Sequence, residues 1–184
     1  MTTDSAQDTA ITGTQARPVQ VHSVYIRASP ERIWQAITDP EWNGRYGYSA
    51  PAEYDLQAGG AFRSFATEAM KAASAQMGFP CPDVIVDGEV IEVDPPRKLV
   101  QTWRMLMDPT AAAEGFSRLT YEIEGPGADG VCRLTVSHEL GGMPALAAMT
   151  SGDNAFGEMG GGGWPWILSD LKTLLETGEA FPKG

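Results

Sequence analysis

The side chains of this chain that could carry out chemistry are few and far apart. Its only histidines are His22 and His138, and its only cysteines are Cys81 and Cys132. Metal sites gather their ligands at short spacings, and a redox pair needs two neighbouring cysteines. Neither pattern is present, so the sequence predicts no metal site and no cofactor.

His138 and Glu139 are adjacent near the end of a predicted strand and could supply a general base. Neighbouring side chains of a regular strand point to opposite faces of the sheet, so these two would not converge. A histidine in such a place is most often a solvent-facing polar residue. We therefore expect no catalytic residue and a solvent-facing His138.

Residues 125–130, Gly-Pro-Gly-Ala-Asp-Gly, match the glycine pattern of dinucleotide-binding loops letter by letter. That pattern binds phosphate only where it joins a strand to the start of a helix. Here it lies between two predicted antiparallel strands. We interpret it as a hairpin loop.

Composition narrows the class of partner. The chain has 184 residues, 42% of them apolar, and a formal net charge of -11 at pH 7. Nucleic acids and anionic membranes both need a basic surface, so we expect neither as a partner. The chain has no apolar run of the roughly 20 residues that a membrane span needs and no signal-like start. Together with two unpaired thiols, this favours the cytoplasm.

The pattern of apolar residues divides the chain into a tail and one domain. Residues 1–18 carry almost no large apolar side chains, which predicts a disordered tail. We place the domain at residues 19–180. Residues 67–83 interrupt it with an alanine- and methionine-rich helical insertion, which is either a lid or a surface element.

The remaining elements follow a consistent order. A first strand starts at Val19, and Ser29 with Pro30 then opens a helix that ends at Asp39 and Pro40. Several strands separated by short Gly- or Pro-containing turns favour an antiparallel meander. The last element is an amphipathic helix that opens at the Trp-Pro-Trp of residues 164–166, after four glycines, and ends near Gly178.

Several segments together resemble the START-like (SRPBCC) superfamily. They are the Ala-Ser-Pro-Glu-Arg-Ile-Trp of residues 28–34, Asp39-Pro40 with Trp42, Gly59-Gly60 before Phe62, Gly88-Glu89-Val90, Pro95-Pro96-Arg97, residues 99–104, and Gly163-Trp164. Within the superfamily the chain is most similar to the branch of the activator of the ninety-kilodalton heat-shock protein ATPase. The resemblance covers about residues 19–178.

The resemblance implies an α+β helix-grip fold. In it, a seven-stranded curved antiparallel sheet surrounds a long C-terminal helix, with two short helices near the N-terminus. A cavity between helix and sheet would hold a small apolar molecule. The residues expected to line it are Trp34, Phe62, Phe65, Trp103, Arg104, Met105, Phe116, Trp164, Leu168 and Leu171.

Residues 99–104 and 163–168 also look similar to self-resistance proteins of enediyne (calicheamicin-type) antibiotic producers. In that subgroup the activated drug takes a hydrogen atom from the protein itself. A glycine α-carbon is an open donor, and Gly115 is our first candidate. The alternative, a loop glycine with an unusual backbone angle, is the more common role of a glycine at such a place.

Three functions therefore remain open. The first is sequestration of a hydrophobic natural product, with or without self-sacrifice, by a monomer or weak dimer. The second is an interaction module like the chaperone activator. The third is an enzyme like the polyketide cyclases, which can work by the shape of the pocket and bound water.

Overall fold

A computed structural model describes residues 18–153 and 162–182. All but the last residue of the predicted tail, and the first two of the four glycines at 160–163, lie outside these ranges. The strands are β1 (Val19–Ile26), β2 (Ala52–Tyr54), β3 (Ala61–Phe65), β4 (Val84–Asp94), β5 (Lys98–Met105), β6 (Ser117–Glu124) and β7 (Cys132–Glu139). The helices are α1 (Pro30–Thr38), α2 (Pro40–Asn43), α3 (Glu68–Gln76), α4 (Pro109–Ala113), α5 (Pro144–Thr150) and α6 (Gly163–Thr177).

The seven strands form one curved antiparallel sheet in the order β1-β7-β6-β5-β4-β3-β2. Apart from β1, which pairs with β7, each neighbour in the sheet is also a neighbour in the chain. This confirms the predicted meander and the α+β helix-grip fold. Residues 125–130 lie in the β6–β7 connection, as the hairpin interpretation required.

The first two helices begin where the sequence indicates. The Ser29 hydroxyl accepts a hydrogen bond from the amide of Arg32 at 3.3 Å, and Pro30 occupies the first turn of α1. The Asp39 carboxylate accepts from the amide of Glu41 at 2.9 Å, so one residue ends α1 and caps α2.

Two short helices, α4 and α5, were not predicted. They contain five and seven residues, too few for an apolar period to stand out. The start of α5 has no cap of its own; instead the Glu114 carboxylate accepts from the amides of Ala145 and Leu146 at 2.8 and 2.9 Å. A cap that comes from 31 residues away cannot be read from local sequence.

Helix α6 lies across one face of the sheet, here called the inner face. Its buried side chains Trp164, Leu168, Leu171 and Leu174 recur at helical spacing and pack on the sheet. Gly178 ends the helix with a left-handed backbone (φ 87°), as predicted. Of the helices in the described ranges, none has the length and hydropathy that crossing a bilayer requires.

The N-terminus of α6 touches neighbouring backbone so closely that it needs glycine. A Cβ on Gly163 would lie 2.5 Å from the carbonyl oxygen of Thr150, and φ there is 62°. The amide of Gly163 donates to the Tyr48 hydroxyl at 2.9 Å. Gly163, at the start of α6, therefore permits close packing against the end of α5.

The link from α2 to β2 generates the first testable prediction. Asn43, which is buried, donates to the carbonyl of Ala52 and accepts from its amide, both at 2.8 Å. Replacing it by alanine leaves both groups of Ala52 without their partners. Asn43→Ala should lower the free energy of unfolding by about 2 kcal/mol in urea titrations. Gln57→Ala, at an exposed position, is the control and should change it by less than about 0.5 kcal/mol.

Candidate functional site

A chain of hydrogen bonds joins α6 to the inner face through His138. The Trp164 indole Nε1 donates to Nδ1 of His138 at 3.2 Å. On the other side of the ring, Nε2 lies 2.7 Å from the Ser117 hydroxyl, which itself donates to the carbonyl of Trp103 at 2.8 Å. His138 is 0% exposed, so the expectation that it faces solvent was wrong.

These partners determine the protonation of the ring. An indole N–H can only donate, so Nδ1 must be unprotonated. The Ser117 hydroxyl uses its hydrogen on Trp103, so it must accept from an Nε2–H. His138 is therefore neutral. Burial lowers its pKa to about 4, with a smaller effect of the same sign from the nearby His22.

Three tyrosines, Tyr46, Tyr54 and Tyr121, form a second group, here called the tyrosine cluster. Each is half-buried. The pKa of each hydroxyl is raised, first of all by burial. Tyr46 and Tyr54 also raise the pKa of Tyr121, and Tyr46 raises that of Tyr54, so the three hydroxyls lie within electrostatic reach of one another.

The tyrosine cluster comes from different parts of the fold. Tyr121 lies on β6 between the buried inner-face residues Leu99 and Val136. Its ring meets that of Trp164 edge-on, with 6.1 Å between centroids. Tyr54 lies on the edge strand β2 beside Phe62, at 4.7 Å between centroids, and Tyr46 lies in the loop after α2.

Gln101 lies in the middle of the inner face, between Val90 of β4 and Leu119 of β6. It is 0% exposed, and neither Nε2 nor Oε1 makes a hydrogen bond of ordinary geometry within the described chain. A weak hydrogen-bonding contact from Gln101 to the Tyr54 hydroxyl lowers the pKa of that tyrosine, against the larger effect of burial, although the contact lies outside ordinary hydrogen-bond geometry.

The predicted lining residues divide into three groups. Those buried in the core between α6 and the sheet are Phe62, Trp103, Trp164, Leu168 and Leu171. Trp34 and Met105 are half-buried and pack against that core. Phe65 is half-buried at the end of β3, where the register with β4 shifts.

The other two predicted lining residues, Arg104 and Phe116, lie together at a different place. Arg104 follows Trp103 in β5 and so points to the opposite face. Its guanidinium forms two hydrogen bonds to the Asp87 carboxylate, at 3.0 and 2.7 Å, and lies 4.3 Å from the centre of the Phe116 ring. The neighbouring Gly115 has φ 86°, the unusual loop angle foreseen as the alternative to a reactive role.

Sequence reasoning missed Gln101, His138 and the tyrosine cluster. Alternation along β5 and β6 places Gln101 with Trp103 and Tyr121 with Leu119, which was a usable signal. No comparable signal marks Tyr46, which lies in a loop. In the part of the chain that the structure describes, no three His, Cys, Asp or Glu side chains come together as a metal site would require.

An open depression of about 300 Å³ lies elsewhere, at the β6–β7 hairpin. Its walls include the exposed side chains of Tyr25, Glu124 and Arg133. Arg133 and Glu124 form an ion pair with each other across the hairpin. This depression is therefore a surface feature separate from the inner face.

The low pKa of His138 predicts how stability depends on pH. The unfolded histidine binds a proton below about pH 6.5 and the folded one only near pH 4. Stability should thus be complete above pH 6.5 and fall as the pH drops toward 4. Comparing urea titrations at pH 7 and pH 4, the protein should lose about 3 kcal/mol more than His138→Gln. His22 is present in both proteins and cancels; equal losses in the two would contradict the assignment.

Comparison with known structures supports the fold. CalU16 from Micromonospora echinospora is 18% identical, over 87% of this chain and 77% of its own, with a TM-score of 0.56. The Aha1 dimer from Colwellia psychrerythraea is 16% identical, over 89% and 99%, with a TM-score of 0.60. DynU16, a protein of the dynemicin biosynthetic locus, is 20% identical, over 88% and 48%, with a TM-score of 0.56.

None of the curated proteins compared with the chain matches it. The structural neighbours share too little sequence with this chain to establish its family, but the comparison with family models does so. The model of the family described as "Activator of Hsp90 ATPase homolog 1-like protein" matches residues 27–176, which is most of the domain. The chain therefore belongs to the Hsp90 ATPase activator homolog 1-like family, a START-like branch, as its sequence motifs indicated.

Proposed function

We propose that this protein binds a small, largely apolar molecule between α6 and the inner face of the sheet. The proposal rests on two properties that the three residues of the tyrosine cluster share. Each ring keeps accessible surface, yet its hydroxyl is withdrawn from bulk water strongly enough for burial to raise the pKa. We interpret this combination as the border of an internal space under α6, the hollow that the START-like family resemblance implies.

The walls of this space indicate the character of its occupant. The buried residues around it are mostly aromatic or aliphatic, with Phe62, Trp103 and Trp164 the largest. Broad apolar walls with a few fixed polar groups are typical of small-molecule sites. His138 already uses both ring nitrogens in the hydrogen bonds to Trp164 and Ser117, so it supports a structural role better than acid–base catalysis.

Arg104 and Phe116 have a different place in this proposal. They lie outside the internal space, and the salt bridge to Asp87 already occupies the guanidinium. Of the ten lining residues expected from sequence, we retain the seven that form the core or pack against it: Trp34, Phe62, Trp103, Met105, Trp164, Leu168 and Leu171. Phe65 follows Ser64 in β3, so strand alternation turns it away from the face of Phe62. The tyrosine cluster and Gln101 join the retained residues.

We further propose a cytoplasmic protein that is a monomer or a weak dimer, with a single domain at residues 19–180. The net charge of -11 and two free thiols support this setting. Within the insertion, Met70 and Cys81 pack against the core while Met77 and Phe79 are exposed. That arrangement supports a surface insertion attached to the domain at its base.

The finer proposal is self-resistance against an enediyne. Its support is the shared fold with CalU16 and with DynU16 of the dynemicin locus. In the reaction, a carbon radical of the activated drug takes the α-hydrogen of a glycine. One C–H bond breaks and another forms. The glycyl radical adds dioxygen, the resulting peroxyl radical takes a hydrogen atom from the thiol that activates the drug, and the α-hydroperoxide then breaks down with scission of the backbone at that glycine. Gly115, half-buried with a positive φ, stays our candidate donor.

Binding can be tested with 2-ethylnaphthalene and methyl NMR spectra. Because the ligand should lie on the inner face, the methyl resonances of Leu99 and Val136 should shift in proportion to occupancy. Those of Val19 and Val21, exposed on the other face of β1, should not. Shifts confined to the exposed valines, or none at all, would refute internal binding.

The self-resistance proposal is tested by mass spectrometry after exposure to a calicheamicin-type enediyne activated with thiol. We expect cleavage at Gly115 and at least a tenfold drop in that product for Gly115→Ala, whose side chain would meet no atom within 4 Å but whose φ of 86° is strained. Cleavage elsewhere would exclude Gly115 as donor. An intact chain beside consumed drug would exclude self-sacrifice and leave ligand binding untouched.

A further inference from the structure

We propose that the Gln101 side-chain amide is the polar anchor of the bound molecule, and that it selects an uncharged ligand whose polar edge both donates and accepts hydrogen bonds. A primary carboxamide or a lactam has such an edge. This inference rests on the proposed function, because it names the class of ligand that the same internal space would take.

The side-chain amide of Gln101 is in an unusual state for a buried polar group. Gln101 occupies the central strand of the inner face, with Leu99 and Trp103 as its buried neighbours on that face. Its donor and its acceptor are both buried without a hydrogen bond of ordinary geometry. The Tyr54 hydroxyl approaches one end of this amide without forming a well-shaped hydrogen bond. Buried polar groups are nearly always fully paired, so the amide indicates a partner that comes from outside the chain.

A second glutamine shows what a structural amide looks like in this fold. Gln20 lies in the same row of paired residues across the sheet. Gln20 pairs with His138, His138 with Leu119, and Leu119 with Gln101. Its Nε2 donates to the carbonyl of Ala147 at 2.7 Å, and its Oε1 accepts from the Thr150 hydroxyl at 2.8 Å. Both ends of Gln20 thus hold α5 against β1. Within the described residues, neither end of Gln101 makes a hydrogen bond of ordinary geometry.

The charges around the space exclude an anionic ligand. His138 is neutral and fully hydrogen-bonded, and burial also lowers the pKa of His22, three strands from Gln101. The Asp170 carboxylate is buried on α6 and raises the pKa of Tyr46, so a buried negative charge lies within electrostatic reach of the tyrosine cluster. A carboxylate placed here would lose its hydration and gain no cation.

The geometry of an amide then determines the matching group. Oε1 can only accept and Nε2 can only donate, and the two are fixed side by side. A ligand carboxamide can meet both ends at once with two parallel hydrogen bonds. A ketone can accept a hydrogen bond from Nε2 but has no donor for Oε1. A carboxylate would place one of its own acceptor oxygens against Oε1, which is also an acceptor.

Three naphthalenes with the same ring test this: naphthalene-2-carboxamide, 2-acetylnaphthalene and naphthalene-2-carboxylate, titrated into the full chain by calorimetry at pH 7. We expect the carboxamide to bind about tenfold tighter than the ketone, and the carboxylate more weakly than either. Gln101→Met keeps the length of the side chain and removes its polar end. It should bind the ketone about tenfold more weakly than the wild type does, because the hydrogen bond from Nε2 is lost, and it should lose the preference for the carboxamide.

The outcomes separate this inference from the function on which it rests. If the ketone binds but the carboxamide has no advantage, or keeps its advantage in Gln101→Met, Gln101 binds only an internal water and the inference is wrong, while the proposed function stands. If no naphthalene binds, both fail. The comparison of the three ligands on the wild type decides the matter even if the variant does not fold.

Discussion

The contact on which the rest of the site depends is the bond from the Trp164 indole to Nδ1 of His138, with the Ser117 hydroxyl on the other side of the ring. It connects the first turn of α6 to strand β7 through a single neutral imidazole. The protonated ring would have two donors facing the indole donor and the hydroxyl, so only one protonation state fits. Burial, which lowers the pKa of His138, maintains that state at neutral pH.

Polar contacts also hold α6 along its length and at its far end. The amide of Gly47 donates to the Asp170 carboxylate, Lys172 donates to the carbonyl of Tyr25, and Glu176 accepts from the amide of Arg27. The helix is therefore held over the inner face by directional bonds as well as by apolar packing. Such bonds fix the separation of helix and sheet, and the side chains between them need not fill all the volume.

The interior between helix and sheet contains phenol and amide groups beside its apolar side chains. A core that needed only to be stable would hold leucine where Gln101 and Tyr121 lie, since their neighbours on the inner face are leucine, valine and tryptophan. Neutral polar groups in an apolar wall orient a ligand without the desolvation that a buried ion would require. Under the proposed function, such a site combines apolar binding with recognition of a neutral polar group.

Sequence predicted well whatever is encoded locally. The cap at Ser29, the apolar stripe of α6 and its end at Gly178 all follow from spacings of a few residues. The predictions for His138 and Arg104 depended on register between strands. Helix α6 covers His138, and Arg104 pairs with Asp87 on the neighbouring strand β4. Strand alternation assigns such residues to a face, but only the order and pairing of the strands decide which face is covered. Tyr46 lies in a loop, where neither helical spacing nor strand alternation applies.

The central claim is that the tyrosine cluster borders an empty volume under α6, and a crystal structure under xenon pressure measures this directly. Xenon occupies apolar cavities without needing any particular hydrogen bond. The account predicts a xenon atom about 4 Å from the rings of Tyr54 and Tyr121. Absence of xenon at that place, with the three rings packed directly on each other and on α6, would contradict it.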